Sequence, residues 1–284
     1  MMQWLLIGSG GILVAVAIAV LAGRARDTTR ARRMEAALIE SASRPDNEAV
    51  DAASRTELPA PVARYFRHVL MDQRRAIKTA RIRQAGVLRT STTAGRWLPF
   101  TATQLVVPPA VGFLWNARVE MPLATHLRVR DSYIDGSGAG CVSLLSALPV
   151  ASAADTPALN SGALHRYLAE AVWCPTALLP RSGVMWSPID DHTAMATMTD
   201  RGTTVSLQFR FNDAGEVVGI YSPGRFGRFD GEYRRVPWEG HFRDYQVQGG
   251  MRVPGYGEVG WHDGGTLQLV WKGRITEVQY ELEP

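Results

Sequence analysis

The densest run of chemically useful side chains lies between His165 and Pro180, HRYLAEAVWCPTALLP. Arg166, Glu170 and Trp173 stand at i, i+4 and i+7, so on a helix they share one face. On an exposed face, the guanidinium and carboxylate form an ordinary ion pair beside a packed Trp. Turned into an apolar cavity, the same groups supply a perturbed acid and a cation able to hold an anionic headgroup or carboxylate. Arg166, Tyr167, Glu170, Trp173, Trp186, Trp115 and Tyr133 are therefore the candidate ligand-binding residues. Tryptophans 97, 115, 173, 186, 238, 261 and 271 are numerous for one domain. Most would fill the core, and a subset could line a pocket. Asp131 with Tyr133, and Asp244 with Tyr245, are polar–aromatic neighbours in strand-like runs, readable as hydrogen-bonded structural pairs.

Other chemistries leave no mark. The six histidines, His68, His126, His165, His192, His241 and His262, form no H-x-H or H-E-x-x-H pair, so no metal site is expected. There is no G-x-S-x-G elbow and no Walker loop. The run Gly136, Gly138, Gly140 lacks the helix that a dinucleotide site needs after it, and reads as a hairpin. No cofactor is implied. Cys141 and Cys174 are too few for a disulfide scaffold. They read as apolar thiols, with a single bridge open in an oxidising compartment.

The charge distribution excludes one class of partner. Arg24, Arg26, Arg30, Arg32 and Arg33 against Asp27 give residues 24–33 a charge of +4, equal to the whole chain's +4. The rest of the chain is neutral, which argues against a nucleic-acid-binding face. The arginines instead flank an uncharged stretch, Trp4 to Gly23, WLLIGSGGILVAVAIAVLAG. At 1.5 Å per residue, twenty residues span about 30 Å, the thickness of a bilayer core. This predicts a single transmembrane anchor with Trp4 at one interface. A cleaved signal peptide is disfavoured because Met1, Met2 and Gln3 carry no basic side chain. Arginines after the span place the soluble part on the cytoplasmic side. Gly11, Ala15, Ala19 and Gly23 form a small-residue stripe that would permit helix self-association, hence a homodimer.

Three segments follow: the anchor over 1–23, a basic juxtamembrane helix and linker over 24–58, and one mostly-β soluble domain over 59–284. Residues 59–74 predict an amphipathic helix on Val62, Tyr65, Phe66, Val69 and Leu70. The period then becomes two. Strands are predicted over 77–89, 97–107, 111–121, 125–134 and 138–148, then over 193–199 and 204–211. They resume in EVVGIY after residue 215, on either side of Gly249-Gly250, and over 267–271 and 274–282. One helix interrupts them over 159–173, stopped by Pro175. The class is α+β, mostly β. A dozen hairpin-spaced strands without βαβ alternation predict a curved antiparallel sheet, half-barrel-like, packed on a central helix.

Arg166 to Glu170, Trp173 and Pro175 to Pro180, together with Arg64-Tyr65, Asp244-Tyr245, Val253-Pro254, Glu258 and Trp261, resemble the signature of an uncharacterised prokaryotic family. The resemblance spans nearly all of residues 58–282. Members of that family commonly carry an N-terminal membrane segment, and no activity is implied. The late hairpin DYQVQGGMRVPGYGEVGW is also similar to lipoprotein-carrier domains. That likeness implies a half-barrel with helices in its concave face and a cavity for acyl chains.

Three functions remain in play. One is a membrane-tethered binding domain for a lipid or other hydrophobic small molecule. Another is an interaction module dimerising through its membrane helix. The third is a hydrolase-type enzyme using Glu170, Arg166 and His165, with no nucleophile motif to support it.

Overall fold

The computed structural model describes residues 2–42, 57–71, 73, 75–89, 92 and 95–284, with side chains described from residue 15 onward. Its elements in chain order begin with α1 (Met2–Ser41) and α2 (Ala60–Leu70). Six strands follow: β1 (Ile77–Leu88), β2 (Leu98–Val107), β3 (Gly112–Met121), β4 (Thr125–Ile134), β5 (Ser137–Leu144) and β6 (Leu148–Ala154). After α3 (Pro157–Glu170) come β7 (Val184–Pro188), β8 (Thr193–Asp200), β9 (Thr203–Phe211), β10 (Val217–Phe229), β11 (Glu232–Gln248), β12 (Met251–Asp263) and β13 (Thr266–Leu282).

The strands form one 13-stranded sheet in the order β6-β5-β4-β3-β2-β1-β13-β12-β11-β10-β9-β8-β7. Neighbours are antiparallel throughout, including β1 against β13, which joins the two hairpin runs. The period-2 reading holds where one face is buried. In β9, Val205, Leu207, Phe209 and Phe211 all enter the core. It fails at the end of β2, where Gln104, Leu105, Val106 and Val107 are all buried because both faces of the sheet are covered. The run expected as one strand over 138–148 is broken by the turn at Leu145–Ala147 into β5 and β6. The two runs expected over 267–282 are one strand, β13. The short strand β7, in which Val184 and Trp186 alternate inward, lies outside the expected strands.

α3 fills the concave face of the curled sheet. Thr156 caps it, accepting a hydrogen bond from the Leu159 amide, and Pro157 takes the first turn. Its buried residues run almost around the helix: Gly162, Ala163, Leu164, His165, Tyr167, Leu168 and Ala169. Close packing explains two glycines. A Cβ on Gly162 would sit 2.8 Å from the Phe226 carbonyl oxygen, and one on Gly138 would sit 2.8 Å from that of Leu159. The G-x-G-x-G run thus serves helix approach and, at Gly136 with φ +79°, a hairpin turn. The helix stops at Glu170, short of the expected 173, and tightens into 3₁₀ turns at Ala171–Trp173 and Pro175–Leu178. α2 packs Val62, Tyr65, Phe66 and Val69 against β12, β8 and the second of these turns.

The outer face of β2–β5 carries α1. Gly23, Asp27, Ala31, Met34, Leu38 and Ser41 are its covered positions, at helical spacing, while Arg24, Arg26, Arg30, Arg32 and Arg33 stay exposed. Leu38 is fully buried among Leu105, Val107, Ala110 and Leu114, a second small core. Arg130, 2% exposed, donates two hydrogen bonds to Asp27, at 2.9 and 3.2 Å. Glu35 pairs with Arg81, and the Arg24 Nε donates to the Leu145 carbonyl at 3.0 Å. The basic helix after the apolar stretch is therefore bound along the sheet; residues 43–56 of the expected linker lie outside the described residues. Among the described residues no helix is long and apolar enough to cross a membrane. Most of the expected anchor, Trp4–Gly23, falls on side chains outside the described residues. Gly23 is small for a local reason: a Cβ there would lie 2.7 Å from the Ala147 carbonyl oxygen.

Removing one partner of a buried ion pair strands the other charge, which costs about 3 kcal/mol or more. Asp27→Ala in the full-length chain is expected to lower the unfolding free energy by that amount in urea titration, and Asp27→Leu with Arg130→Met to recover most of it. Tyr65 and Tyr167 are buried with hydroxyls that have no hydrogen-bond partner among the described residues. Tyr65→Phe and Tyr167→Phe are accordingly expected to be neutral or stabilising by up to about 1 kcal/mol in the same titration.

Candidate ligand-binding cavity

Between α3 and the ends of β1–β4 and β11–β13 lies an open cavity of about 400 Å³. This is within the roughly 300–1,000 Å³ usual for small-molecule sites. Its walls are apolar and come from separate strands: Leu98 of β2, Val119 of β3, Leu127 and Val129 of β4, Val259 of β12 and Val270 of β13. They follow the register of the sheet. Leu88 lies opposite both Leu98 and Trp271, Val119 opposite Leu127, Val259 opposite Trp271, and Trp238 opposite Trp261. Leu98, Leu127, Val129, Val259, Val270 and Trp271 remain half-exposed, so this apolar wall lacks a full cover among the described residues.

The floor is polar and fully wired. Arg166 donates from Nε to Glu170 and from Nη1 to Asp131, each at 2.8 Å. The other Glu170 oxygen accepts from Gln104 at 2.6 Å, Gln104 accepts from Gln84 at 2.9 Å, and Gln84 accepts from the Trp115 indole at 2.8 Å. The Arg166 guanidinium also lies over the Trp115 and Phe113 rings, at 4.9 and 5.1 Å. Burial by itself would lower Arg166, but Glu170 and Asp131 together outweigh it and hold the guanidinium above its ordinary value. The carboxylate proposed as an acid thus has both oxygens engaged.

Arg225 on β10 adds a feature the sequence did not signal. Its guanidinium sits between the Trp238 and Trp261 rings, at 4.4 and 5.1 Å, and donates twice to the Gly162 carbonyl. Burial, with Arg166 nearby, pushes it down to about 9 against the pull of Glu170 and Asp131.

The structure brings Arg166, Glu170, Trp173 and Trp115 together on the cavity and places the other three candidates in the core. The Tyr167 ring is buried, its hydroxyl without a partner among the described residues. The Trp186 indole donates to the Leu178 carbonyl at 2.9 Å and packs on Phe209. Tyr133 donates to Asp200 at 2.8 Å; burial and that bond push it up. The expected polar–aromatic pairs do not form, because each member finds a partner farther along the chain. Asp131 takes Arg166, Asp244 takes Arg274, and the Tyr245 hydroxyl bonds the Val217 backbone. Both cysteines are free, Cys174 in the core and Cys141 half-buried on β5. No group of His, Cys, Asp and Glu among the described residues could hold a metal ion.

His165 lies beneath the site, with Nδ1 2.9 Å from the Ser161 carbonyl and Nε2 3.5 Å from the Ser222 hydroxyl. Burial lowers it to about 4, with Arg225 and Arg235 adding to the effect. A depressed folded value means the unfolded chain binds the proton first. The stabilisation is complete above about pH 6.5 and is lost as pH falls towards 4. Over that window the native chain is expected to lose up to about 3 kcal/mol from this group. Comparing His165→Gln with the native chain in pH-dependent thermal unfolding checks this, the variant showing the shallower slope.

No curated protein matches the chain. Among solved structures, a LolA superfamily protein, NE2245, from Nitrosomonas europaea is similar over 80% of this chain and 96% of that one, at 9% identity and a TM-score of 0.42. A beta-barrel-like protein of domain of unknown function DUF1849 from Brucella abortus covers 73% and 99%, at 10% identity and a TM-score of 0.22. A porin-like protein from Bacteroides uniformis ATCC 8492 covers 73% and 98%, at 6% identity and 0.25. Residues 56–280 match a single family model, so the chain belongs to the family of unknown function DUF6920.

Proposed function

We propose that this chain is a membrane-tethered binding domain that holds a lipid or other hydrophobic small molecule in the cavity of its curled sheet. The observation that carries this reading is the half-exposed apolar wall formed by Leu98, Leu127, Val129, Val259, Val270 and Trp271. Uncovered apolar surface of this kind, concave and backed by a few fixed polar groups, is what an apolar ligand buries. The wired floor of Arg166, Glu170, Asp131 and Gln104 presents the polar end of the cavity.

The tether rests on the uncharged stretch Trp4–Gly23. In its described part Val16, Ile18 and Leu21 are exposed on a helix, with no cover among the described residues. The arginines after Gly23 favour single-pass insertion with the folded domain on the cytoplasmic side.

The test is native mass spectrometry of the full-length chain released from detergent, followed by organic extraction. A co-purifying apolar molecule is expected. It should be lost in Val270→Asp, a half-exposed wall position where a charge blocks an apolar ligand without entering the core, and the urea midpoint should stay near that of the native chain. A clean apo mass with no uptake of added fatty acid or phospholipid would remove the proposal.

A further inference from the structure

The place where α1 leaves the sheet and the position of the cavity are linked by topology. In an antiparallel sheet joined by hairpins, every second connection lies at the same rim. The β1–β2 loop, the β3–β4 turn (residues 122–124), the β5–β6 turn (residues 145–147) and, through the β1–β13 pairing, the β12–β13 turn therefore share one rim. The apolar cavity walls cluster near it: Leu88 closes β1, Leu98 opens β2, Val119 is near the end of β3 and Leu127 near the start of β4. α1 runs along the outer face towards the same rim. Leu38 packs at Gly112, where β3 starts, while Gly23 abuts Ala147 and Arg24 bonds Leu145 in the β5–β6 turn. Residues 15–22 then continue past the domain as exposed apolar helix.

The β3–β4 and β5–β6 part of this rim is apolar where a free surface would be polar. Leu123 is 94% exposed, Leu148 60% and Val150 55%, and Leu21, two residues before the Gly23 contact with Ala147, is exposed as well. The turns themselves are unusual. Leu123 and Ala124 in one, Leu145 and Ser146 in the next, adopt positive φ of 55–58°. Turns with two central residues at positive φ favour Asn and Gly, so both leucines are strained, and Leu123 is exposed as well. Strain kept at an exposed position is a reason to look for a function. The arginines that follow the helix exit supply charge suited to phosphate headgroups.

We infer that the β3–β4 and β5–β6 turns dock on the bilayer from which α1 emerges, so that the cavity opens on to the membrane and exchanges its ligand there. The inference rests on the tethered reading above and adds the direction the cavity faces and the surface that sets it. Leu123 and Leu148 enter the headgroup–acyl boundary, and the docked α1 holds the domain upright on its anchor. The pair Asp27–Arg130 and the Arg24–Leu145 bond keep that geometry fixed.

The experiment uses full-length protein in phosphatidylcholine–phosphatidylglycerol vesicles, with a polarity-sensitive dye at Leu123→Cys or Leu148→Cys. Cys141→Ser leaves one reactive thiol, because Cys174 is fully buried. The control dye is at Val247→Cys, exposed on β11 near the opposite rim. A blue shift and quenching by doxyl-labelled lipid are expected at positions 123 and 148, and neither at 247. Carbonate extraction of the same vesicles reads the anchor independently. Protein that stays in the membrane with the dye at 123 as aqueous as at 247 overturns the docking and leaves the tether standing. Protein released by carbonate overturns both.

Discussion

A single antiparallel sheet of thirteen strands cannot stay flat, and this one curls around a plug. The plug is α3 with the 3₁₀ turns behind it, and the contact that fixes it is the packing of Trp173. Its indole donates to the Pro254 carbonyl at 3.1 Å and meets the Phe242 ring edge-on. Tyr280, at the far end of β13, donates to the Trp173 carbonyl at 2.6 Å. One residue thus ties the plug to β11, β12 and β13, close to where the two hairpin runs join through β1. The apolar faces of those strands have their cover because the plug sits there.

The cavity follows from the length of that plug. α3 ends at Glu170, and Pro175 prevents its continuing as helix. The trough between β1–β4 and β11–β13 is longer than the plug, so its rim end stays open and its walls stay half-exposed. At the boundary between filled and open trough the polar side chains of α3 must be satisfied, and Gln84, Gln104, Trp115 and Asp131 do this from four strands, β1 to β4. A satisfied network of this kind specifies how the helix sits as much as it stabilises it. Both Glu170 oxygens are committed to fixed donors, Gln104 and Arg166.

The outer face shows how a basic segment can be structural. The arginines after the apolar stretch stay exposed, Arg24 bonding the Leu145 carbonyl, while the small and apolar residues between them, with Asp27, lie against the sheet. Burying Leu38 contributes about 2 kcal/mol. The larger effect is positional: the direction in which the chain leaves the domain is set by the same surface that buries Leu105 and Leu114.

Local patterning determined a good part of this. The period-2 runs, the Gly249-Gly250 hairpin, the α2 face of Val62, Tyr65, Phe66 and Val69, and the shared face of Arg166 and Glu170 are all legible, because each depends on residues a few positions apart. So is the mostly-β class, since strand count and spacing need no partners to be read. What the tertiary structure decided is non-local. Nothing near Tyr133 announces Asp200, nothing near Asp131 announces Arg166, and Arg225 stands between two tryptophans more than ten residues away. β6 went unread because an edge strand that buries little carries little periodicity, and β7 because its alternation, Val184 and Trp186 inward, spans only five residues. The exposed run of arginines hid a docked helix because its buried stripe, Gly23, Asp27, Met34 and Leu38, is too polar and too small to look like a core. The cavity is decided at this same level: it is the difference between the length of a curled sheet and the length of the helix inside it, and no stretch of sequence contains both.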